Sequence, residues 1–311
     1  MTDVGTSSAA AGPMRVAVSG STGLIGTALV QRLRREGHTV VRLVRSARDA
    51  QPGDVRWDPD AGTIDTAALE GIDAVVHLAG ENVGSRWTKE KKRRIRDSRV
   101  NGTRLIAETI TRLARRPRVM VQAAGTGIYG DRGDEVLTEE SGPGTGFLAE
   151  VGQDWEGASG HAEAAGIRVV RLRFGVVLTA RGGVVERLLL PFRMGVGGRI
   201  GSGRQWMPWI SLTDVVEVIV RALRDERLRG VVNAVAGSAR NADFTDAFAR
   251  ALHRPALLPV PGFGLRAVFG QMADEALLSS QNVVPARLQA IGHVFHHPTL
   301  DAALAAALRE G

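Results

Sequence analysis

Gly20, Gly23 and Gly26 stand three residues apart, directly after the apolar run Val16-Ala17-Val18 and directly before an amphipathic stretch. Glycines spaced this way between a strand and a helix form a phosphate cradle, whereas the same spacing elsewhere is only a turn that binds nothing. Gly20 permits the tight turn off the strand. Gly23 lets the backbone approach a pyrophosphate, and Gly26 lets the helix lie close on the strand. Free N–H groups and partial positive charge at the helix start suit an anion, so Gly20 to Gly26, including Ser21, Thr22, Leu24 and Ile25, are expected to touch it. About 20 residues on, a dinucleotide site for NAD puts an acid on the ribose 2′-hydroxyl. This chain has Arg45 there, with Ser46 next and Arg42 nearby. A guanidinium suits a 2′-phosphate bidentately and does not replace the acid. The expected cofactor is NADP(H), with Arg45 as the main clamp. The competing reading makes Arg45 one surface arginine in an arginine-rich chain.

The elements that must position these residues follow from periodicity. Leu24, Ala28, Leu29 and Leu33 recur at helical spacing, and Gly37 ends the run. His38 to Arg45 is rich in β-branched residues and reads as the next strand. Strand, glycine turn, helix and strand make a βαβ unit. Further apolar strands are expected at Ile72 to Gly80, Val119 to Gly125 and Ile167 to Gly175, with helix from about Val151 to Ala165. This alternation predicts an α/β fold with a doubly wound parallel sheet of Rossmann type. Ligands then sit at the C-terminal strand ends. That gathers the glycine turn, Arg45, Leu78, Ala79, Gly80, Ala123 to Thr126 and Phe174-Gly175 around one crevice, with Glu81 next to Gly80 also expected to touch the cofactor. From about Met194 the chain turns glycine-rich, with Trp206 and Trp209, and reads as a lobe over the crevice. Ser211 or Thr213 then caps a helix. The expected organisation is a disordered tail at 1–13 and a cofactor domain at 14–180, to which 205–235 also contribute. A substrate-side lobe covers 181–311, with a small C-terminal domain from about 255.

Composition narrows the function classes. The net charge of +7 invites a nucleic-acid reading, but lysine occurs only at Lys89, Lys91 and Lys92, and the arginines are spread along all 311 residues. The basic run Lys89 to Arg96 has no interleaved aromatics and is expected to be a solvated helix face, so no nucleic-acid partner is expected. Cysteine is absent, which removes disulfides and metal-thiolate sites. His296 and His297 have no carboxylate at ligand spacing, so no metal is expected. No Gly-x-Ser-x-Gly elbow marks a hydrolase. No apolar stretch is long enough to span a membrane, and the first 13 residues lack the pattern of a signal peptide. The expectation is a cytoplasmic monomer or homodimer acting on a small molecule.

The chain resembles the extended or atypical short-chain dehydrogenase/reductase superfamily from Arg15 to about Leu308. The motifs are the glycine turn, His77-Leu78-Ala79-Gly80, Asn101-Gly102-Thr103, Ile128-Tyr129-Gly130 and Trp209 to Val215. More narrowly, it is similar to a subgroup classed as nucleoside-diphosphate-sugar epimerases with a small C-terminal domain of unknown function. Ala79-Gly80-Glu81-Asn82, Arg86-Trp87-Thr88, Trp155-Glu156 and Ile200 to Gln205 carry that likeness. The resemblance implies NADP(H) in the glycine crevice and a substrate under the C-terminal lobe. It also implies a Ser or Thr followed by Tyr-x-x-x-Lys, which this chain lacks. Phe147 falls at the Tyr position and Val151 at the Lys position, and the Ser position falls at Ala124 or Gly125. Thr126 and Tyr129 are then the candidate proton donors, with Glu81 behind them, and Phe147 is expected beside the nicotinamide. Three readings stand open: an NADP(H)-dependent oxidoreductase or epimerase with a rearranged acid, a catalytically silent cofactor-binding sensor, and a scaffold that has lost its ligand.

Overall fold

The computed structural model describes residues 12–46, 48 and 50–310. The expected tail at 1–13 lies outside the described residues except for Gly12 and Pro13. In chain order, β1 (Arg15–Ser19) leads through the glycine turn into α1 (Leu24–Arg35) and β2 (Thr39–Val44). Then come β3 (Val55–Asp58), β4 (Thr63–Ile64), β5 (Ala74–His77), α2 (Lys89–Thr111), β6 (Val119–Gly125), β7 (Val136–Leu137), α3 (Phe147–Gly157), α4 (Gly160–Ala164) and β8 (Arg168–Phe174). The second half has β9 (Val176–Leu178), α5 (Gly183–Arg193), β10 (Trp206–Ser211), α6 (Leu212–Arg224), β11 (Gly230–Ala234), β12 (Gly237–Arg240) and α7 (Asn241–Leu252). It ends with α8 (Gly262–Phe269), β13 (Asn282–Val283), α9 (Ala286–Ala290) and α10 (Leu300–Arg309).

The main sheet runs β11-β8-β6-β5-β1-β2-β3-β4. It is parallel except for the β3–β4 pair at one edge. This is the doubly wound sheet that the sequence leads one to expect. Strand order reverses between β1 and β5, which opens the crevice at their C-terminal ends. Residues along β1 alternate between two cores. Val16 and Val18 face Leu29 and Leu33 of α1 and Val215 and Ile219 of α6, whereas Ala17 faces Ile106 and Ile110 of α2. A strand covered by helices on both faces must be apolar throughout, which is why these strands read as continuous apolar runs.

A second sheet, β12-β10-β9, carries a core of its own. Trp209 of β10 packs there with Phe192 of α5, Phe244 and Phe248 of α7 and Leu304 of α10. The third sheet pairs β13 with β7 in parallel. Among the described residues no helix is long and apolar enough to cross a membrane.

Two expectations need local correction. The helix expected over Val151 to Ala165 is α3 and α4 with a break at Ala158 and Ser159. The Ser159 hydroxyl donates to the Glu156 carbonyl at 3.0 Å and accepts from Arg171 Nε at 3.0 Å, the side-chain competition that interrupts helices at serine. Of the two candidate caps before α6, it is Ser211 that acts, its hydroxyl accepting from Asp214 N at 3.1 Å.

Candidate functional site

The glycine turn is packed against itself. Gly20 has φ +66°, and a Cβ there would stand 2.8 Å from Ala79 N. A Cβ on Gly26 would stand 2.1 Å from the Gly20 carbonyl oxygen. Position 23 differs: a Cβ would meet only the Gly20 oxygen, at 3.3 Å, and its other side is open. Gly23 is also the N-cap of α1, whose first turn carries neither an acid nor a capping side chain. The amides of that turn are left for an incoming anion.

A buried pair that sequence reasoning missed locks this turn to the next strand end. Ser19 and His77 are register partners on β1 and β5. Ser19 Oγ accepts from Leu78 N at 3.2 Å and from Ala79 N at 3.3 Å, so its proton is left for His77 Nδ1 at 2.6 Å. Burial, with Arg99 adding to it, pushes the His77 pKa down to about 3. The ring is therefore neutral, and its Nε2, buried without a partner among the described residues, carries the proton. Two polar residues ending adjacent apolar strands were the signal available in the sequence.

A cavity of about 610 Å³ runs from this turn across the ends of β5, β6 and β8 to β10, α7 and residues 275–281. Of the expected cofactor residues, Gly20, Gly23, Leu24, Ile25, Gly26, Leu78, Gly80, Glu81 and Ala123 line it, as does Thr126. Ser21, Thr22, Arg45, Ser46, Ala79, Tyr129 and Phe147 do not. Arg45 stands exposed just past the end of β2, while Arg42 is engaged with Asp54 at 2.9 Å. An ion pair with Lys91 holds the Glu81 carboxyl below the usual range against the opposing effect of burial, with Arg94 and Arg45 adding to it. Arg99 lines the cavity too. It donates to the Glu81 carbonyl at 2.9 Å and lies over the Trp155 ring at 4.9 Å. Burial pushes its pKa down to about 10, so it stays charged.

Two expectations about chemistry are corrected by position. Tyr129 is fully buried, its hydroxyl donating to the Thr138 carbonyl at 2.9 Å or to Asn233 Oδ1 at 2.7 Å. The Tyr129 hydroxyl oxygen accepts from Arg173 at 2.8 Å, and burial raises the Tyr129 pKa. It is a structural hydroxyl without access to the cavity. Phe147 opens α3 but packs 5.1 Å from the Trp87 ring, with the Lys92 amine 5.1 Å from its centroid. The α3 residues on the cavity wall are Leu148, Val151, Gly152 and Trp155. Thr126 is buried in the wall and its hydroxyl has no partner among the described residues.

The opposite wall was only partly legible. Trp206 and Met207 line it, whereas Trp209 turns into the second core. Glu275, Leu277, Ser279 and Gln281 come from the C-terminal segment. Glu275 caps α3 from there, its carboxylate accepting from Phe147 N at 3.1 Å and Leu148 N at 2.8 Å.

The NAD dependent epimerase/dehydratase family matches residues 16–234. A domain of unknown function (DUF1731) matches residues 260–307. An epimerase family protein of Mycobacterium leprae is 42% identical over 291 residues, 93% of this chain and 94% of its own length. The crystal structure of the human epimerase family protein SDR39U1 (isoform 2) with NADPH superposes with a TM-score of 0.86 at 37% identity, over 95% of this chain and 99% of that one. A nucleoside-diphosphate sugar epimerase from Corynebacterium glutamicum superposes with a TM-score of 0.80 at 38% identity, over 95% of this chain. This chain spans 58% of the length of that protein.

Proposed function

Because the chain belongs to the NAD dependent epimerase/dehydratase family, we propose that it is an NADP(H)-dependent oxidoreductase or epimerase acting on a small molecule. The observation that carries the reading is the cradle: side chains at 20 or 26 would strike backbone, while 23 stands open to the cavity. That shape, at a helix N-terminus with free amides, fits a pyrophosphate. Exposed Arg45 at the end of β2 supports the 2′-phosphate of NADP(H) over the hydroxyl of NAD. The NADPH bound by the human relative agrees with this choice. We propose the cytoplasm as the compartment, since a chain without cysteine gains nothing from an oxidising one.

Bound in the cradle, the nicotinamide would supply or accept the hydride. The chain's own residues bind, orient and exclude water. Phe147, at the position of the superfamily's Tyr, packs on Trp87, and Val151, at that of its Lys, is an apolar part of the cavity wall, so neither offers a proton there. The Thr126 hydroxyl orients a substrate oxygen by hydrogen bonding. General acid help is worth ~10²–10⁴ in rate, so turnover of simple ketones is expected to be slow.

Titrating NADPH and NADH tests the reading. NADPH should bind at least about tenfold tighter, about 1.4 kcal/mol, and Arg45→Ala should remove most of that margin. Equal affinities, or a margin indifferent to Arg45→Ala, would discard the clamp. Binding of neither nucleotide would discard the function.

A further inference from the structure

We propose that the far half of the cavity takes an uncharged, mostly apolar ligand bearing one hydrogen-bonding oxygen, such as a cyclic or aromatic ketone or its alcohol. The inference rests on the reading above in leaving the glycine-loop half to the cofactor. Leu148, Val151, Val176, Leu188, Met207 and Phe244 wall the far half from five different elements. Such a surface binds by removing apolar area from water.

The charges near it are already answered. Arg99 is the only cation among the described residues lining the cavity. It sits on the glycine-loop side, where a Cβ on Gly80 would be 3.4 Å from its Cζ, and donates to the Glu81 carbonyl at 2.9 Å and the Ile95 carbonyl at 3.1 Å. Glu81 is paired with Lys91. The N-terminus of α3 is held by Glu275. That of α7 is held by backbone, Asn241 N donating to the Gln205 carbonyl and Ala242 N to the Gly203 carbonyl, each at 2.9 Å. On the rim, Arg240 is bound to Asp134 at 2.8 Å and lies 4.3 Å over the Trp206 ring. A second diphosphate in this half would find no lining guanidinium or amine free to answer it, and buried anions need such partners.

The neutral polar groups sort the same way. Asn241 Oδ1 accepts from Ile200 N at 2.7 Å, and Gln205 Nε2 donates to the Ile200 and Leu277 carbonyls at 3.1 and 3.2 Å. Two lining side chains make no hydrogen bond of their own among the described residues. They are the Gln281 side-chain amide and the Thr126 hydroxyl, on residues each 6% exposed. Donors that face the cavity in this way are free to meet a ligand acceptor. One carbonyl or hydroxyl oxygen satisfies them without bringing charge.

The test is calorimetric titration of the full chain, saturated with NADP⁺, with cyclohexanone, 2-decalone and 1-tetralone, and separately with UDP-glucose. The ketones should bind saturably, tightening at least about tenfold from cyclohexanone to 1-tetralone as apolar area grows. Gln281→Leu and Thr126→Val, with near-UV circular dichroism unchanged, should each weaken 1-tetralone by about fivefold. UDP-glucose should show no saturable heat at millimolar concentration. Saturable UDP-glucose, no saturable ketone, or 1-tetralone binding indifferent to both variants would overturn the inference. An NADPH titration of the same preparation separates the two claims. Ketone binding without NADPH binding sinks the cofactor reading and leaves this one. NADPH binding with UDP-glucose displacing 1-tetralone does the reverse.

Discussion

Gly23 separates two jobs that glycines in one turn usually share. Gly20 and Gly26 are needed by the fold, because a Cβ at either would strike backbone. Gly23 has an ordinary φ of −76° and room on its open side, so its lack of a side chain serves the ligand. Gly23→Val should therefore fold with an unchanged melting curve and lose NADPH binding; normal binding by the folded variant would show that the crevice is not used for the pyrophosphate. The glycine spacing was legible because its chemistry is local. His77 was not, because its meaning lies in its register with Ser19 across the sheet. Its folded pKa of about 3 lies below the ordinary His value of about 6.5. Below pH 6.5 the unfolded chain takes a proton that the folded chain refuses, so stability falls as pH drops through the window from 6.5 toward 3. His77→Phe should remove about 2 kcal/mol of the wild-type stability loss between pH 7 and pH 5. Urea melts at the two pH values decide it: parallel losses in both proteins would mean that His77 is not the group refusing the proton.

At the scale of elements, α3 shows where sequence periodicity stops. Apolar spacing finds the helix, and it even finds the wall residue Val151, but nothing local says which side chain caps the start. Its N-cap is Gly146, which has no side chain to serve, and the missing acceptor is Glu275, more than a hundred residues away. Such long-range caps cannot be read from a helix's own residues, and the same blindness left Phe147 expected beside the nicotinamide when the start of α3 turns it toward Trp87. A carboxylate on two helix-start amides is worth about 2 kcal/mol. Glu275→Ala should cost about that in urea unfolding and speed hydrogen exchange at the Phe147 and Leu148 amides, and Glu275→Gln should recover part of it. Unchanged exchange at those amides in Glu275→Ala would mean that another group holds the first turn.

At the scale of the whole molecule, the two halves of the cavity are built by chain segments that cannot move independently. β10 of the second sheet runs without a linker into α6, which lies under the main sheet. Asp214 of α6 is fully buried and accepts from His296 N at 2.6 Å and His297 N at 3.1 Å, which ties the C-terminal segment down. Arg287 of α9 donates to the Val231 carbonyl of β11 at 2.8 Å, and Asn233 donates to the Val284 carbonyl at 3.0 Å. Cores interlocked in this way should unfold together. A ligand that touches only the glycine turn should then protect every element, by RT ln(1 + [L]/Kd), or about 2.7 kcal/mol at a hundredfold excess over Kd. Calorimetry with NADPH at that excess should show one transition raised by roughly 4–5 °C, with exchange slowed in β10 and α10 as much as in β1. Two transitions, with only the earlier segments of the chain protected, would show instead that the second sheet and the C-terminal segment form an independent unit and that the far wall of the cavity is free to open while the cofactor stays bound.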